Sequence, residues 1–260
     1  NSNQIMRVAQ GLYENGHITY MRTDSIHLSN EALKASRKVI EKKYGKDYLP
    51  KSAKIYKSNS KNAQEAHEAI RPAGSSFKDP QVLKKQLTDQ EYKLYDLIWK
   101  RTVASQMESA KIEQTKLTIS DNEHVFTASG KTIIFPGFLR AYVEGSDDPN
   151  ANLDNMEKVL PKVQKGDALS CSLIEPKQHF TKPISRFTEA SLVKEMESLG
   201  IGRPSTYASI MKRIQDKGYV NNTKGSFIPT LTGYAVVQFL ENYHKELVNL
   251  EYTSNMENSL

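Results

Sequence analysis

Residues 111–120, KIEQTKLTIS, decide the fold class, because the apolar side chains change here from a helical spacing to a period of two. Three later segments alternate in the same way or run apolar between turns: HVFTASG at 124–130, KTIIFPGFL at 131–139 and DALSCSLIEP at 167–176. Before residue 109 and after about residue 184, the spacing is helical. The sequence therefore predicts a multidomain α+β protein with a β-rich segment over residues 109–182.

The first part of the chain carries the start signals of helices. Ser29 can cap a helix that Gly45 can end. Thr88 and Glu91 have the spacing of a capping box ahead of a long helix with an apolar face. We expect a mainly helical domain over residues 1–108.

The last part, residues 183–260, has the order helix, turn, helix and hairpin. The two helices have start and stop residues at Thr188 and Gly200 and at Pro204 or Ser205 and Gly218, and the hairpin turn falls at Lys224 and Gly225. This order is typical of a winged helix, which is a DNA-binding arrangement. The charges from residue 203 to residue 224 are five basic and one acidic, a net of +4, which favours contact with a nucleic-acid backbone.

The composition excludes several classes of protein. The chain has 260 residues, 38% of them hydrophobic, and no apolar run long enough to span a membrane or to form a secretory signal. Its single cysteine, Cys171, excludes a disulfide framework and a cysteine-rich zinc site, which fits a cytoplasmic protein. The net charge of +6 suits a polyanionic partner without deciding the function. Neither end carries a clear helix signal, so we expect a piece of a longer protein.

Two motifs resemble known sites and fail. Ser129–Thr132 resembles the end of a phosphate-binding P-loop, but Val125 stands where the motif needs glycine, so we predict a hairpin turn there. His67 begins the H-E-x-x-H pattern of zinc proteases, but Arg71 occupies the last position. No D-x-D pair is present to hold magnesium. These residues therefore predict neither an ATP site nor a metal site.

Residues 18–25, ITYMRTDS, follow a helix that ends near Gly16, and their composition predicts an extended chain. Tyr20, Arg22 and Asp24 would then share one face. A tyrosine oxygen can attack a phosphodiester, an arginine can stabilise the phenolate and hold a phosphate oxygen, and the aspartate can orient the arginine. A surface tyrosine with a purely structural role is the alternative, and spacing alone does not exclude it.

Two further segments have the residue types of a phosphate site. QEAHEAIRP at 64–72 places His67 and Arg71 one turn apart on a short helix predicted around 63–70. GIGRPSTYASI at 200–210 combines two glycines, Arg203 and a helix start, where free backbone amides favour an anion. A surface histidine and an ordinary turn between helices are the alternatives.

Together, GHITYMRTDS at 16–25, AQEAHEAIRP at 63–72 and the segment from Phe187 to Val220 resemble the bacterial type IA DNA topoisomerases. The resemblance covers essentially the whole chain. It implies that Tyr20 cleaves one DNA strand and leaves a 5′-phosphotyrosine, before a second strand passes and the first is religated. Negatively supercoiled DNA would be relaxed in this way without ATP.

The resemblance also assigns residues. Arg22 would position the scissile phosphate and His67 would be the active-site histidine. The catalytic set we predict is Tyr20, Arg22, Asp24 and His67, and the DNA-binding set is Arg71, Arg203, Ser205 and Thr206. In the toroidal core of the family, the three parts of this chain would be the tyrosine-bearing helical domain, part of the β-rich arch and part of a helical domain.

The family's magnesium-binding Toprim domain has no counterpart in these 260 residues. We therefore expect no cofactor bound by this chain, Mg²⁺ held by the Toprim domain of the full-length enzyme, and an isolated piece that is inactive. The expected partners are single-stranded segments of DNA and the protein's own Toprim domain, in a monomer of the bacterial nucleoid with no membrane association. The main alternative is a single-stranded DNA-binding module without chemistry.

Overall fold

The computed structural model describes residues 1–56, 68–121, 123–142 and 159–259, and it is a mixture of helices and small sheets, as predicted. The helices are α1 (Ser2–Glu14), α2 (Asn30–Lys43), α3 (Pro80–Leu83), α4 (Asp89–Ser105), α5 (Glu189–Leu199), α6 (Tyr207–Asp216), α7 (Leu231–Tyr243) and α8 (Leu250–Ser259). The strands are β1 (Lys111–Asp121), β2 (His124–Phe135), β3 (Val220–Thr223) and β4 (Ser226–Pro229).

Local capping sets the ends of the first helices. Ser29 accepts the N–H of Ala32 at the start of α2, and Gly45 follows that helix with φ +101°. At the start of α4, Thr88 and Glu91 form the predicted capping box. Asn1 caps α1 through its side chain, although we expected no clear cap.

The main core lies between α1, α2 and α4. Its largest fully buried side chains include Leu12, Ile18, Ile40, Tyr95 and Met107. Ile18 belongs to the segment that carries Tyr20, so this core anchors the beginning of that segment. Burial of such apolar side chains is the main stabilising contribution to the unit.

The segment around Tyr20 is not the strand that we predicted. Ile18 forms a single antiparallel bridge with Pro72, and the chain then bends. Exposure alternates from Tyr20 through buried Met21 to Arg22, but Ile18, two positions before Tyr20, is buried, so the alternation does not run through the segment. The physical reason is that, among the described residues, a single pair is bridged here, and a ladder needs a partner over several residues.

β1 and β2 form an antiparallel hairpin. Ser129–Thr132 lies in the middle of β2 and pairs with residues 113–116, so the hairpin turn predicted there is wrong. The hairpin turns between Asp121 and His124, and β2 continues through Gly130. Residues 167–176, which we predicted to be a strand, are irregular, because β1 and β2 pair only with each other among the described strands.

The last part has the predicted order of elements. α5 starts at the cap Thr188 and ends at Gly200, which has φ +71°. α6 begins at Tyr207, slightly later than predicted, and the turn of the β3–β4 hairpin falls at Lys224 and Gly225. Both turn residues have positive φ, +51° and +85°, as a tight hairpin turn requires.

α1 joins the first and last parts of the chain. The N–H of Ser2 donates to a carboxylate oxygen of Glu189 at 2.6 Å, and the side-chain amide of Asn3 donates to the carbonyl of Ala208 at 3.4 Å. The start of α5 and the first turn of α6 are therefore held against the start of α1. In the parts of the chain that the structure describes, no helix has both the length and the apolar character needed to cross a membrane.

Candidate active site and nucleic-acid interface

Tyr20 lies just beyond the bridge at Ile18, and 41% of its surface is exposed. Its ring meets the ring of Tyr13, on the last turn of α1, edge to face at a centroid distance of 5.3 Å. An edge-to-face contact of this kind is a favourable aromatic geometry, and it restrains the orientation of the Tyr20 ring. The tyrosine is thus partly exposed to solvent while its ring is packed against a helix.

Thr19 fastens the backbone next to Tyr20. Its N–H donates to the carbonyl of Arg71 at 2.9 Å, and its hydroxyl donates to the carbonyl of Ala69 at 2.7 Å. The same hydroxyl accepts the N–H of Arg71 at 2.9 Å. Residues 69–71 therefore hold Thr19 from both its backbone and its side chain.

Arg71 is buried, with 6% of its side chain exposed, and is committed to internal contacts. Its Nε and one terminal nitrogen donate to the two carboxylate oxygens of Glu68 at 2.8 and 2.9 Å. The other terminal nitrogen donates to the carbonyls of Pro72 and Gly74. We predicted that Arg71 binds DNA from a helix, but residues 68–72 are not helical and the guanidinium does not face solvent. In this structure the guanidinium of Arg71 binds internal groups, and its predicted role in DNA binding stays a prediction.

Glu68 completes this internal pair. Its Oε1 also accepts the N–H of Ser29, the cap of α2, at 2.8 Å. Burial alone raises the pKa of the Glu68 carboxyl, but the hydrogen bonds from Arg71 and Ser29 outweigh it and lower the pKa below its usual range. The charged carboxylate therefore links α2 to the segment that holds Thr19.

The remaining predicted residues of the tyrosine segment differ in environment. Arg22 is exposed to solvent, and Asp24 is half-buried. Across the described residues Asp24 forms no ion pair with Arg22, so our expectation that it orients the arginine is not supported. Instead, the negative charge of Asp24 contributes to raising the pKa of the Tyr207 phenol in α6.

The turn before α6 depends on glycine. Gly202 has φ +78°, and a Cβ there would meet the ring of Tyr207 at 2.8 Å. The N–H of Arg203 donates to the hydroxyl of Thr206 at 2.8 Å, which closes the turn. Ser205 and Thr206 are exposed beside it. The sequence thus folds into a tight turn because only glycine allows the ring of Tyr207 to approach.

The amide and guanidinium of this turn already hold an anion. The N–H of Gly202 donates to both carboxylate oxygens of Glu257, at 2.9 Å each, and a terminal nitrogen of Arg203 donates to Oε2 at 3.2 Å. Arg203 also donates to the backbone carbonyl of Glu257 at 3.2 Å. Hydrogen-bond donors that bind a carboxylate in this way can also bind a phosphate oxygen.

Our sequence interpretation did not include Tyr207, whose ring packs against the turn at Gly202. Burial raises the pKa of its phenol, and the negative charges of Glu197, Asp24 and Glu257 add to this, while Arg203 opposes it. Its hydroxyl is therefore neutral at physiological pH. An aromatic residue directly after GRPST, beside two glycines, is the only sequence signal that could have indicated it.

His67 lies outside the described residues, and so does most of the short helix predicted around 63–70. In the portion of the chain that the structure describes, no group of three or more histidine, cysteine, aspartate or glutamate side chains could hold a metal ion. The resemblance assigns Mg²⁺ to a Toprim domain outside these residues, and that assignment stays a prediction.

Comparison with known proteins agrees with the predicted resemblance. A family model described as DNA topoisomerase matches residues 1–260. DNA topoisomerase 1 of Synechocystis sp. is 53% identical over 255 residues, which cover 98% of this chain and 28% of that protein. DNA topoisomerase 1 of Streptomyces coelicolor is 53% identical over 260 residues, which cover 98% of this chain and 27% of that protein. The structure of full-length topoisomerase I from Thermotoga maritima matches with a TM-score of 0.76 and 33% identity, covering 98% of this chain and 41% of that one.

The chain therefore belongs to the DNA topoisomerase family. Within that family, its relatives identify it as part of a bacterial type IA topoisomerase I, which confirms the resemblance predicted from the three motifs. The chain spans 28% of the length of the Synechocystis relative.

Proposed function

We propose that this chain is the tyrosine-bearing part of an enzyme that cleaves one DNA strand through a 5′-phosphotyrosine, passes a second strand and religates the first. The observation that carries the proposal is that Tyr20 and Arg22 are both exposed, two positions apart, in a segment that the core anchors through buried Ile18 and Met21. The family membership supports the same chemistry. Relaxation of negatively supercoiled DNA would follow without ATP.

In the proposed reaction, the phenolic oxygen of Tyr20 attacks the phosphorus of a phosphodiester. A bond from tyrosine oxygen to phosphorus forms, the bond from phosphorus to the 3′ oxygen breaks, and that oxygen leaves with a proton as a hydroxyl. Arg22 would hold a non-bridging oxygen and stabilise the charge that develops there. One phosphodiester replaces another of similar energy, so religation is the same step in reverse.

The other predicted residues keep proposed roles of different kinds. His67 would act at the same phosphate, as the resemblance implies. Arg203, Ser205 and Thr206 would contact the backbone of the single-stranded segment, and the anion-holding geometry of their turn supports this. Asp24 would act through its negative charge, which helps to keep the phenol of Tyr207, the first residue of α6, neutral.

We further propose that the rest of the enzyme lies in segments outside these residues. A Toprim domain there would hold Mg²⁺, would pack over Tyr20 and would be needed for cleavage. Residues 1–108, 109–182 and 183–260 would be the tyrosine domain and parts of the arch and of a helical domain in a toroidal monomer. It would act on DNA in the bacterial nucleoid.

The test uses the full-length parent enzyme and an end-labelled single-stranded oligonucleotide. We expect the unmodified enzyme to form a covalent adduct at the 5′ phosphate and Tyr20→Phe to form none, because only the attacking oxygen is removed. Tyr13→Phe is the matched control, since its ring contacts Tyr20, and it should cleave normally. An adduct formed by the Tyr20→Phe enzyme would show a different nucleophile. Binding without any adduct in the unmodified enzyme would favour the non-catalytic DNA-binding module.

A further inference from the structure

We infer that Thr19 is a positioning residue for Tyr20, and that its hydroxyl sets where the phenolic oxygen meets the phosphate. The inference rests on the proposed cleavage function and concerns a side chain with no part in the chemistry itself. Thr19 immediately precedes Tyr20, and the peptide between them is the support from which the phenol extends.

The hydroxyl of Thr19 both donates and accepts a hydrogen bond. It donates to the carbonyl of Ala69 at 2.7 Å and accepts the N–H of Arg71 at 2.9 Å, while the Thr19 N–H donates to the Arg71 carbonyl at 2.9 Å. Three hydrogen bonds to one short segment fix both the position and the rotation of this residue. A side chain without a hydroxyl would leave a carbonyl and an N–H without this partner.

The segment that receives these bonds is itself fastened by a buried ion pair. Arg71 binds both oxygens of Glu68 and two backbone carbonyls, Pro72 and Gly74, from a buried position. A bidentate pair of this kind defines a geometry as well as supplying energy. Glu68 is attached in turn to the N–H of Ser29. Thr19 is thus tied through the buried ion pair to the start of α2.

On the far side, the ring of Tyr20 rests on Tyr13 of α1. The tyrosine is therefore held between two supports, its backbone by residues 69–71 and its ring by a helix. Because the phenolic oxygen stands at the far end of a long side chain, a small rotation of the backbone becomes a large displacement of the oxygen. A displacement of about 1 Å at a reacting atom can reduce a rate by roughly 100-fold.

The experiment compares Thr19→Val, Thr19→Ser and Thr102→Val in the full-length enzyme. Valine keeps the branched shape and loses the hydroxyl, whereas serine keeps the hydroxyl. Thr102 is the control, because it is buried and its hydroxyl donates to a carbonyl within α4. Three quantities are measured for each: the single-turnover cleavage rate at saturating oligonucleotide, the affinity for the oligonucleotide, and the stability to urea.

We expect Thr19→Val to cleave about 10- to 100-fold more slowly, with nearly unchanged affinity. Thr19→Ser should restore the rate, and Thr102→Val should lose stability without losing rate. A Thr19→Val enzyme that cleaves at the unmodified rate overturns the inference. So does a Thr19→Ser enzyme that is as slow as the valine variant, or a rate loss that Thr102→Val reproduces. Absence of any adduct in the unmodified enzyme would instead refute the cleavage function itself.

Discussion

Glu257 accepts the backbone N–H of Gly202 with both of its carboxylate oxygens, at 2.9 Å each. The acceptor comes from α8 and the donor from the turn before α6, 55 positions apart in the sequence. With Arg203 at 3.2 Å, this carboxylate occupies the donors that we propose for a DNA phosphate.

The first prediction follows from this competition. Glu257→Gln keeps an oxygen for Gly202 and removes the charge that holds Arg203, so single-stranded DNA should bind about two- to five-fold more tightly, as expected for a partly exposed ion pair worth up to ~1 kcal/mol. One more phosphate contact should steepen the dependence of log affinity on log salt by about 0.7. Fluorescence titration of a labelled oligonucleotide at several salt concentrations measures both.

Glu251→Gln is the matched control, because it removes the same charge from an exposed position on α8. It should leave the slope unchanged. Weaker binding by Glu257→Gln would mean that the carboxylate supports the turn for DNA instead of competing with it.

The second prediction concerns Arg22. In the full-length enzyme, Arg22→Lys should keep most of the DNA affinity, since the net charge is unchanged. Cleavage should fall by about 10- to 1,000-fold, because lysine cannot replace the planar fork that holds phosphate oxygens. Single-turnover cleavage of an end-labelled oligonucleotide measures this. If Arg22→Lys and Arg22→Ala both cleave at the unmodified rate, the exposed arginine has no part in catalysis.

The third prediction is a pH dependence of stability. The pKa of Glu68 is lowered in the folded chain, so its stabilising contribution is present above the unfolded pKa of about 4.3 and is lost as the pH falls through the lower folded value. Glu68→Gln should therefore be less stable than the unmodified chain at pH 7. The difference between the two should shrink as the pH falls below about 4.3.

Urea unfolding between pH 3 and pH 7, followed by circular dichroism, measures that difference. Glu14→Gln, at an exposed position of α1, is the control and should show a smaller difference at neutral pH. A difference for Glu68→Gln that stays constant to pH 3 would contradict the prediction.

The fourth prediction compares two glycines with positive φ. At Gly218, φ is +68° and a Cβ would meet nothing within 4 Å, so Gly218→Ala should cost only the backbone strain of about 1–2 kcal/mol. At Gly202, the Cβ would also meet the ring of Tyr207 at 2.8 Å. Gly202→Ala should therefore cost more stability in urea unfolding and should weaken binding of single-stranded DNA. Equal losses at the two positions would show that the ring moves aside without consequence.

Features that depend on near neighbours could be predicted from the sequence. Ser29 and Thr88 cap their helices through atoms three residues away, and Gly200 ends α5 by its own backbone freedom. Such signals are complete within a few residues. The motifs at Tyr20 and Arg203 were recognisable for a related reason, since each combines its chemical groups within one short stretch.

Features that depend on distant partners could not be predicted. The backbone of Arg71 is bound by Thr19, 52 positions earlier, and the anion at the turn comes from Glu257, 54 positions after Arg203. Gly130 favours a break in a single strand, but pairing with Thr115 of β1 carries β2 through it. A single sequence shows which side chains are present, but it does not show which residues far apart in the chain contact each other.

The hydrogen bond between Ser2 and Glu189 joins residues that are synthesised at different times. These residues are 187 positions apart, and synthesis at roughly 5–20 residues per second separates them by about 10–40 s. Tyr20 and the core beneath it leave the ribosome well before the turn at Gly202 exists. The proposed nucleophile is therefore made long before the surface proposed to bind DNA, and a nascent chain that stalls between the two carries Tyr20 without that surface.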